Sequence, residues 1–416
     1  MSQTVPSLFS PVFFLSLFLS GLMLTGCETE ERQRPVLQFD RSNPAVNGSR
    51  YPDLLSPDGE TLYMSWVTRI EEGVSTVEYT RYRDGVWLDP RTLYVGTDLD
   101  LSWVNRPAMQ LLRTEEPIVH WIRRLDTDPL STEVHVAIPG ISYGTRHSVH
   151  TGERMMVRQA PAIATLGENR LLAWWLERPA TLDEESRSQG ELRSAVINAE
   201  GEVLDIQPVH GSLQSCGAAS LADSETGPIG VAWLQGEQGC RLSIVRYIES
   251  EGVWAEPVPI DTVQPAGEDR TPGVPVIHVW NGQLAIARIV ENGEKSEIRV
   301  LQSGSETMVG ANSIEIPVRH AADRLVMASA PDGSLYLVWM APRGELADLY
   351  LTRIEDGEVR GEPVRLGATN AAEISGKPAV AAMRNGLAVA WTQTAPFYQV
   401  RTIHYPWPDD ETTLIE

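Results

Sequence analysis

GLAVAWTQ at residues 386–393 and SLYLVWMA at 334–341 are the same phrase, alternating apolar residues closed by a tryptophan. The phrase returns as LYMSW (62–66), PIVHW (117–121), LLAWW (171–175) and IGVAW (229–233), and as LAIAR (284–288), where Arg288 replaces the tryptophan. Its closing positions are 66, 121, 175, 233, 288, 339 and 391, at intervals of 55, 54, 58, 55, 51 and 52 residues. Spacing so even, sustained through seven units, marks one supersecondary element repeated along the chain.

Each unit reads as four strands. A proline opens a short apolar run, as in PAVAAM (378–383) and PAIATL (161–166), and a turn such as RNG, WNG or PDG leads into the tryptophan strand. A polar loop leads to a third strand (TVEYTRYR, LYLTRIE) and a turn to a fourth (EPVPI, EPVRL). Short strands between turn residues, repeated at fifty-odd residues, predict an all-β chain folded as a seven-bladed β-propeller of four-stranded antiparallel blades. The last unit lacks a full fourth strand, and RPVLQFD (34–40) stands ready to supply it, closing the ring without an exposed edge. Strand alternation puts Leu387, Val389 and Trp391 on one face and Ala388 and Ala390 on the other, so the tryptophans are assigned to packing between blades. The organisation predicted is an N-terminal signal over 1–26, a tether over 27–36, the propeller over 37–410 and an acidic tail over 411–416.

The 34 basic against 56 acidic residues give a net charge of −22, and the first 26 residues hold no charge at all. Binding to nucleic acid, or to an anionic lipid surface through the folded part, requires basic surface and is excluded as an expectation. No motif calls for a cofactor or a metal. His147 and His150 are spaced His-x-x-His, but in a loop and without a third ligand. Nor does any motif define a catalytic set: Glu177 and Asp183 are carboxylates that a general acid would require, offered by an acidic loop at 176–191.

The N-terminal run SLFSPVFFLSLFLSGLMLTGC ends at Cys27 and gives way to ETEERQRP. It resembles a bacterial lipoprotein signal peptide, with Leu24, Thr25, Gly26 and Cys27 matching the lipobox, although no Lys or Arg precedes the apolar run. The resemblance implies cleavage before Cys27, acylation of that residue and residence in the bacterial cell envelope. Glu28 in the following position implies the outer membrane, facing the periplasm. Two or three acyl chains anchor a protein without help from its folded part, so the lipid would be the only membrane contact. The alternative is a membrane-spanning helix from about Leu8. Cys216 and Cys240 then remain as the one possible disulfide of an oxidising compartment, although one strand separates theirs.

RDGVWLDPRTL (83–93), SEGVWAEPVPI (250–260) and EDGEVRGEPVRL (355–366) are similar to shortened Asp-box turns of sialidase-like propellers, Asp84, Gly85 and Trp87 most closely. That resemblance implies structural turns remote from any site, and offers a six-bladed propeller as the alternative architecture.

In a propeller, the segments that lead into the innermost strands ring one mouth of the central channel. Arg50, Arg106, Arg158, Arg270, Arg324 and Lys377 stand there, placing a cation in six of seven units of an acidic protein. Either they pair with nearby acids such as Asp53, Asp269 and Asp323, or they form a funnel for an anionic ligand, arginine presenting a fork matched to carboxylate. The sialidase resemblance points the same way, since that family holds its sugar carboxylate with an arginine cluster. The function expected is a membrane-anchored monomer that binds an anionic glycan or an envelope protein at this mouth. A sialidase-like hydrolase or a lyase acting on an acidic sugar is the alternative.

Overall fold

The structure, a computed structural model, describes residues 38–39, 42–102, 105–111, 117–125, 128–137, 146–148, 155–157, 161–167, 169–179, 190–209, 215–236, 239–262, 273–292, 295–318 and 322–408. The chain divides into two units, Met1–Pro35 and Val36–Glu416. Cys27, the apolar run before it and the acidic tail lie outside the described residues. Within those described, no helix is long and apolar enough to cross a membrane.

Seven antiparallel sheets make up the second unit, six of them ordered as the sequence runs. Their innermost strands are Ser49–Leu55, Ala108–Leu111, Ala162–Leu166, Ser215–Ala222, Val276–Trp280, Asp323–Ser329 and Ala379–Met383, in blades 1 to 7. In the seventh blade Gln38–Phe39 pairs with Gln399–Pro406, in the register Gln38 to His404 and Phe39 to Ile403. The N-terminal strand thus closes the ring. Seven blades are present, and the six-bladed alternative does not apply.

The core is divided among seven seams, each an apolar cluster drawn from two adjacent blades, with the first blade packed on the last. This is the physical reason for the repeated phrase. A blade is a two-faced sheet that buries neither face alone, so both must be apolar, with a large residue meeting small ones across the seam. Trp391 reaches blade 6, where a Cβ on Gly367 would stand 2.7 Å from its ring. All six closing tryptophans are at most 4% exposed, which rules them out as sugar platforms.

One of them faces the other way. Trp66, Trp121, Trp175, Trp339 and Trp391 turn toward the preceding blade, whereas Trp233 turns toward the following one. The cause lies in the tandem Trp174–Trp175 of blade 3. Trp174 fills the seam to blade 4 and lies directly on Gly230, where a Cβ would come within 1.9 Å of the indole. Blade 4 therefore gives that seam Gly230, Ala232 and Leu234, and sends Ile229, Val231 and Trp233 to blade 5. Arg288, in the closing position of blade 5, faces the same seam with its guanidinium 5.7 Å from the Trp233 ring centroid. A second tryptophan would compete with Trp233 for that space; a planar cation stacks on it instead.

Asp84 and Gly85 have φ of 53° and 82°, and Asp356 and Gly357 have 53° and 77°. Two successive left-handed residues make the tight hairpin turn that Asp-Gly favours. The Asp84 and Asp356 side chains are 91% and 87% exposed and stand at the third-to-fourth strand turns, away from the channel.

Cys240 is disulfide-bonded. Its strand, Gly239–Ile248, is next but one to Ser215–Ala222, and the intervening ladder is interrupted between Ser215 and Ala219, the stretch that holds Cys216. The Cys216 side chain lies outside the described residues.

Candidate functional site

Strand register, rather than sequence spacing, decides which residues share a place at the mouth. In each blade one residue of the innermost strand pairs with the position just before the closing residue. These pairs are Asp53–Ser65, Ala108–His120, Ala162–Trp174, Ala219–Ala232, Val276–Ala287, Val326–Val338 and Ala379–Ala390. Two residues upstream of them the chain carries Tyr51, Arg106, Ala160, Gly217, Val274, Arg324 and Lys377. Arg106, Arg324 and Lys377 are therefore equivalent, while Arg50 sits one residue off and Arg158 and Arg270 stand further upstream, outside the described residues. Among the described residues the cations at this level stand on blades 6, 7, 1 and 2, with Gly217 and Val274 at the equivalent positions of blades 4 and 5.

Arg106, Arg324 and Lys377 line one cavity of about 310 Å³ at the channel, with His120 and Asp323 beside them. Arg50 is not in its wall. The two arginines there are already committed. Arg106 Nη2 lies 2.7 Å from Asp53 Oδ1, its Nη1 donates to the Pro52 carbonyl, and the second oxygen of Asp53 accepts from the Met109 amide at 2.8 Å. The acid is in the preceding blade, so this buried pair ties blade 2 to blade 1.

Arg324 does the same work between blades 6 and 7. Its guanidinium donates to the carbonyls of Ala371 (2.7 Å), Gly376 (2.9 Å) and Ala372 (3.0 Å), with Asp323 3.0 Å from its Nε. Burial holds the Asp323 carboxyl above its usual range, with Arg324 opposing that rise. To reach across, Arg324 adopts a left-handed φ of 51° at a bulge in its ladder, as the equivalent Tyr51 does at 58° in blade 1. Such backbone is unfavourable for side-chain-bearing residues and persists only where the surroundings fix it. Gly376 must itself be glycine, since its φ is 66° and a Cβ would stand 2.8 Å from the Tyr51 ring.

These contacts fix the turn Glu373–Gly376 that delivers Lys377 to the channel. Lys377 is partly buried and has no hydrogen bond or ion pair among the described residues, because Asp53, the nearby acid, is taken by Arg106. Burial first, and then the Arg106 charge, pull its pKa down to about 7, with Asp53 acting in the opposite sense. His120, on the second strand of blade 2, is 2% exposed and its Nδ1 is buried without a partner. Burial pulls its pKa to about 4, so it is neutral here. Among the described residues the site thus holds one uncommitted cation near its titration point, a neutral imidazole, and two arginines that brace the wall.

Glu177 corrects the sequence reading. It lies inside the strand Arg170–Pro179, 5% exposed, with Arg193 Nε 3.3 Å from its carboxylate, so it belongs to no loop and is not in the wall of the channel cavity. Asp183 and the side chains of His147 and His150 lie outside the described residues. His120, by contrast, stood unremarked within PIVHW. Its signal was a polar residue on the face of a buried strand that every other blade fills with an apolar, small or hydroxyl side chain.

No described protein family and no curated protein matches the chain. Among solved structures it is similar to an ulvan lyase bound to GlcA(1-4)Rha3S, at TM-score 0.53 and 8% identity over 89% of this chain and 96% of that one. It is also similar to an α-L-arabinanase of Penicillium chrysogenum (TM-score 0.44, 12% identity, 89% and 98% covered). A Trypanosoma rangeli sialidase gives TM-score 0.42 and 12% identity, over 89% and 58%. At 8% identity the likeness to the lyase extends to the fold alone.

Proposed function

We propose that the channel mouth recognises an acidic glycan, with Lys377 receiving a sugar carboxylate. The observation that carries this is the isolation of Lys377: a cation held in a cavity beside a second, fixed cation, with no acid of its own among the described residues. No contact among the described residues accounts for it, whereas an incoming carboxylate would restore its charge by a charge-assisted hydrogen bond. The ulvan lyase of similar fold has a uronate-containing chain bound, which supports the same ligand class.

A lyase is the second reading, favoured by the pKa of about 7, which leaves half the Lys377 population uncharged at neutral pH. A neutral amine can take the C5 proton of a uronate, the electron pair forming the C4–C5 double bond as the C4–oxygen bond breaks and water reprotonates that oxygen. Incubating the protein lacking residues 1–27 with immobilised and soluble polyuronates separates these outcomes. Binding alone supports recognition, ultraviolet absorbance from unsaturated ends supports elimination, and new saturated reducing ends support hydrolysis. Binding unchanged in Lys377→Met would overturn the proposal.

The lipobox supports a protein anchored through acylated Cys27 in the bacterial envelope, and Cys27→Ser should release it from membranes. Cys216 is the proposed partner of Cys240; two free thiols in the unfolded, unreduced protein would contradict that pairing.

A further inference from the structure

We propose that Arg50, Phe397 and Tyr398 form a second sugar subsite at the seam of blades 7 and 1, so that the ligand is a chain of acidic sugars rather than a single one. This rests on the reading of Lys377 above. Phe397 is 62% exposed and Tyr398 39%, adjacent aromatics in the loop between Gly386–Gln393 and Gln399–Pro406, on the face where the mouth opens. Two adjacent aromatics exposed together form a contiguous apolar patch of the kind that marks a binding surface. The loop is joined to the first blade: the Gly48 amide donates to the Tyr398 carbonyl at 2.7 Å, and Gln399 donates to Ala45 at 2.9 Å. Two residues beyond Gly48 stands Arg50, whose guanidinium lies 5.5 Å from the Tyr51 ring centroid and whose Nε is buried without a partner. Tyr51 in turn packs on Gly376, the residue before Lys377.

Aromatics, a cation with no ion pair among the described residues, and the channel lysine therefore follow one another across a single seam. Flat ring faces next to cations suit a pyranose that carries a carboxylate, the apolar face of the sugar on the aromatic and its acid on Arg50. Glu373, on the same turn as Gly376, is the acid of this seam and disfavours a second carboxylate placed beyond Arg50 on that side. Phe and Tyr are rigid, so they order few rotamers on binding.

The test compares monomeric and trimeric galacturonate, glucuronate and mannuronate, by array and then calorimetry, on the protein lacking residues 1–27. Wild type should bind at least one trimer about tenfold or more tightly than its monomer, the scale of one stacked ring. The Phe397→Ala/Tyr398→Ala double variant should lose that preference while its monomer affinity stays the same, and Arg50→Gln should weaken the trimer only. Phe397 and Tyr398 are exposed, so the double variant should melt as wild type does. Equal binding of monomer and trimer, or a trimer preference that survives the double variant, overturns the subsite and leaves the channel site standing. Loss of monomer and trimer together in Lys377→Met, with the preference lost in the double variant, supports both. Failure of every uronate to bind wild type overturns both.

Discussion

Replacing Lys377 with methionine should make the protein more stable, and by an amount that depends on pH in a defined way. The unfolded chain carries this lysine at its ordinary 10.5, whereas in the channel it titrates at about 7. Between those values the unfolded state holds a proton that the folded state has partly lost, so the ionisable side chain opposes folding and its penalty shrinks as pH rises. At 1.36 kcal/mol for each pKa unit, the penalty at pH 7 is on the order of 2–4 kcal/mol, and it falls by about 2 kcal/mol on going to pH 9. Methionine has nearly the same length and volume and no charge to desolvate, so it should recover most of this. Urea unfolding of wild type and Lys377→Met at pH 7 and pH 9 measures both quantities. A variant less stable than wild type at pH 7, or one whose advantage is the same at both pH values, would refute the reasoning. A site residue whose removal stabilises the fold is what selection for function leaves behind.

Two further outcomes follow from packing and charge. Gly230→Ala should destabilise by about 1–3 kcal/mol, since its Cβ would meet Trp174, which is itself pinned by stacking on Trp254 with centroids 5.4 Å apart. In a Trp174→Leu background the same change should be nearly neutral, a coupling that a double-mutant cycle reads directly. Acid should weaken the fold well above the carboxylate range: His120 and His278 take up protons near 6.5 when unfolded but only near 4 when folded, both through burial. Stability is therefore lost as pH falls through that window, by up to roughly 3 kcal/mol for each histidine. His120→Leu should remove its share from a pH series of melting temperatures.

The ring and its seven blades were legible because they rest on local, repeated signals: alternation, a proline at the start of most innermost strands, and a tryptophan closing six of the seven units at an even interval. The 34–40 segment was recognisable as the missing strand for the same reason. The direction of Trp233 was not, because it depends on Trp174 one blade away claiming the seam first, and only the single longest interval, 58 residues between 175 and 233, hints at a change of phase. The mouth was half legible. That Arg106, Arg324 and Lys377 gather there follows from repeat position. That Asp53 belongs to Arg106, leaving Lys377 without an acid, is a pairing between blades more than 50 residues apart along the chain. The like bulges before Asp53 and Val326 make Tyr51, and not Arg50, the counterpart of Arg324, which spacing from a proline does not reveal. Phe397 and Tyr398 escaped notice because they sit in a loop outside the repeat.

The most direct test of the central claim is the affinity of the protein lacking residues 1–27 for a polyuronate, measured by calorimetry from pH 5.5 to 8.5 in wild type and Lys377→Met. If a protonated Lys377 receives the carboxylate, wild-type affinity is highest below pH 7 and falls severalfold or more as pH rises through it, with proton uptake on binding near neutrality. The variant should bind weakly and without that pH dependence. Wild-type affinity that is flat across the range, or a variant that follows the wild-type curve, would contradict the account.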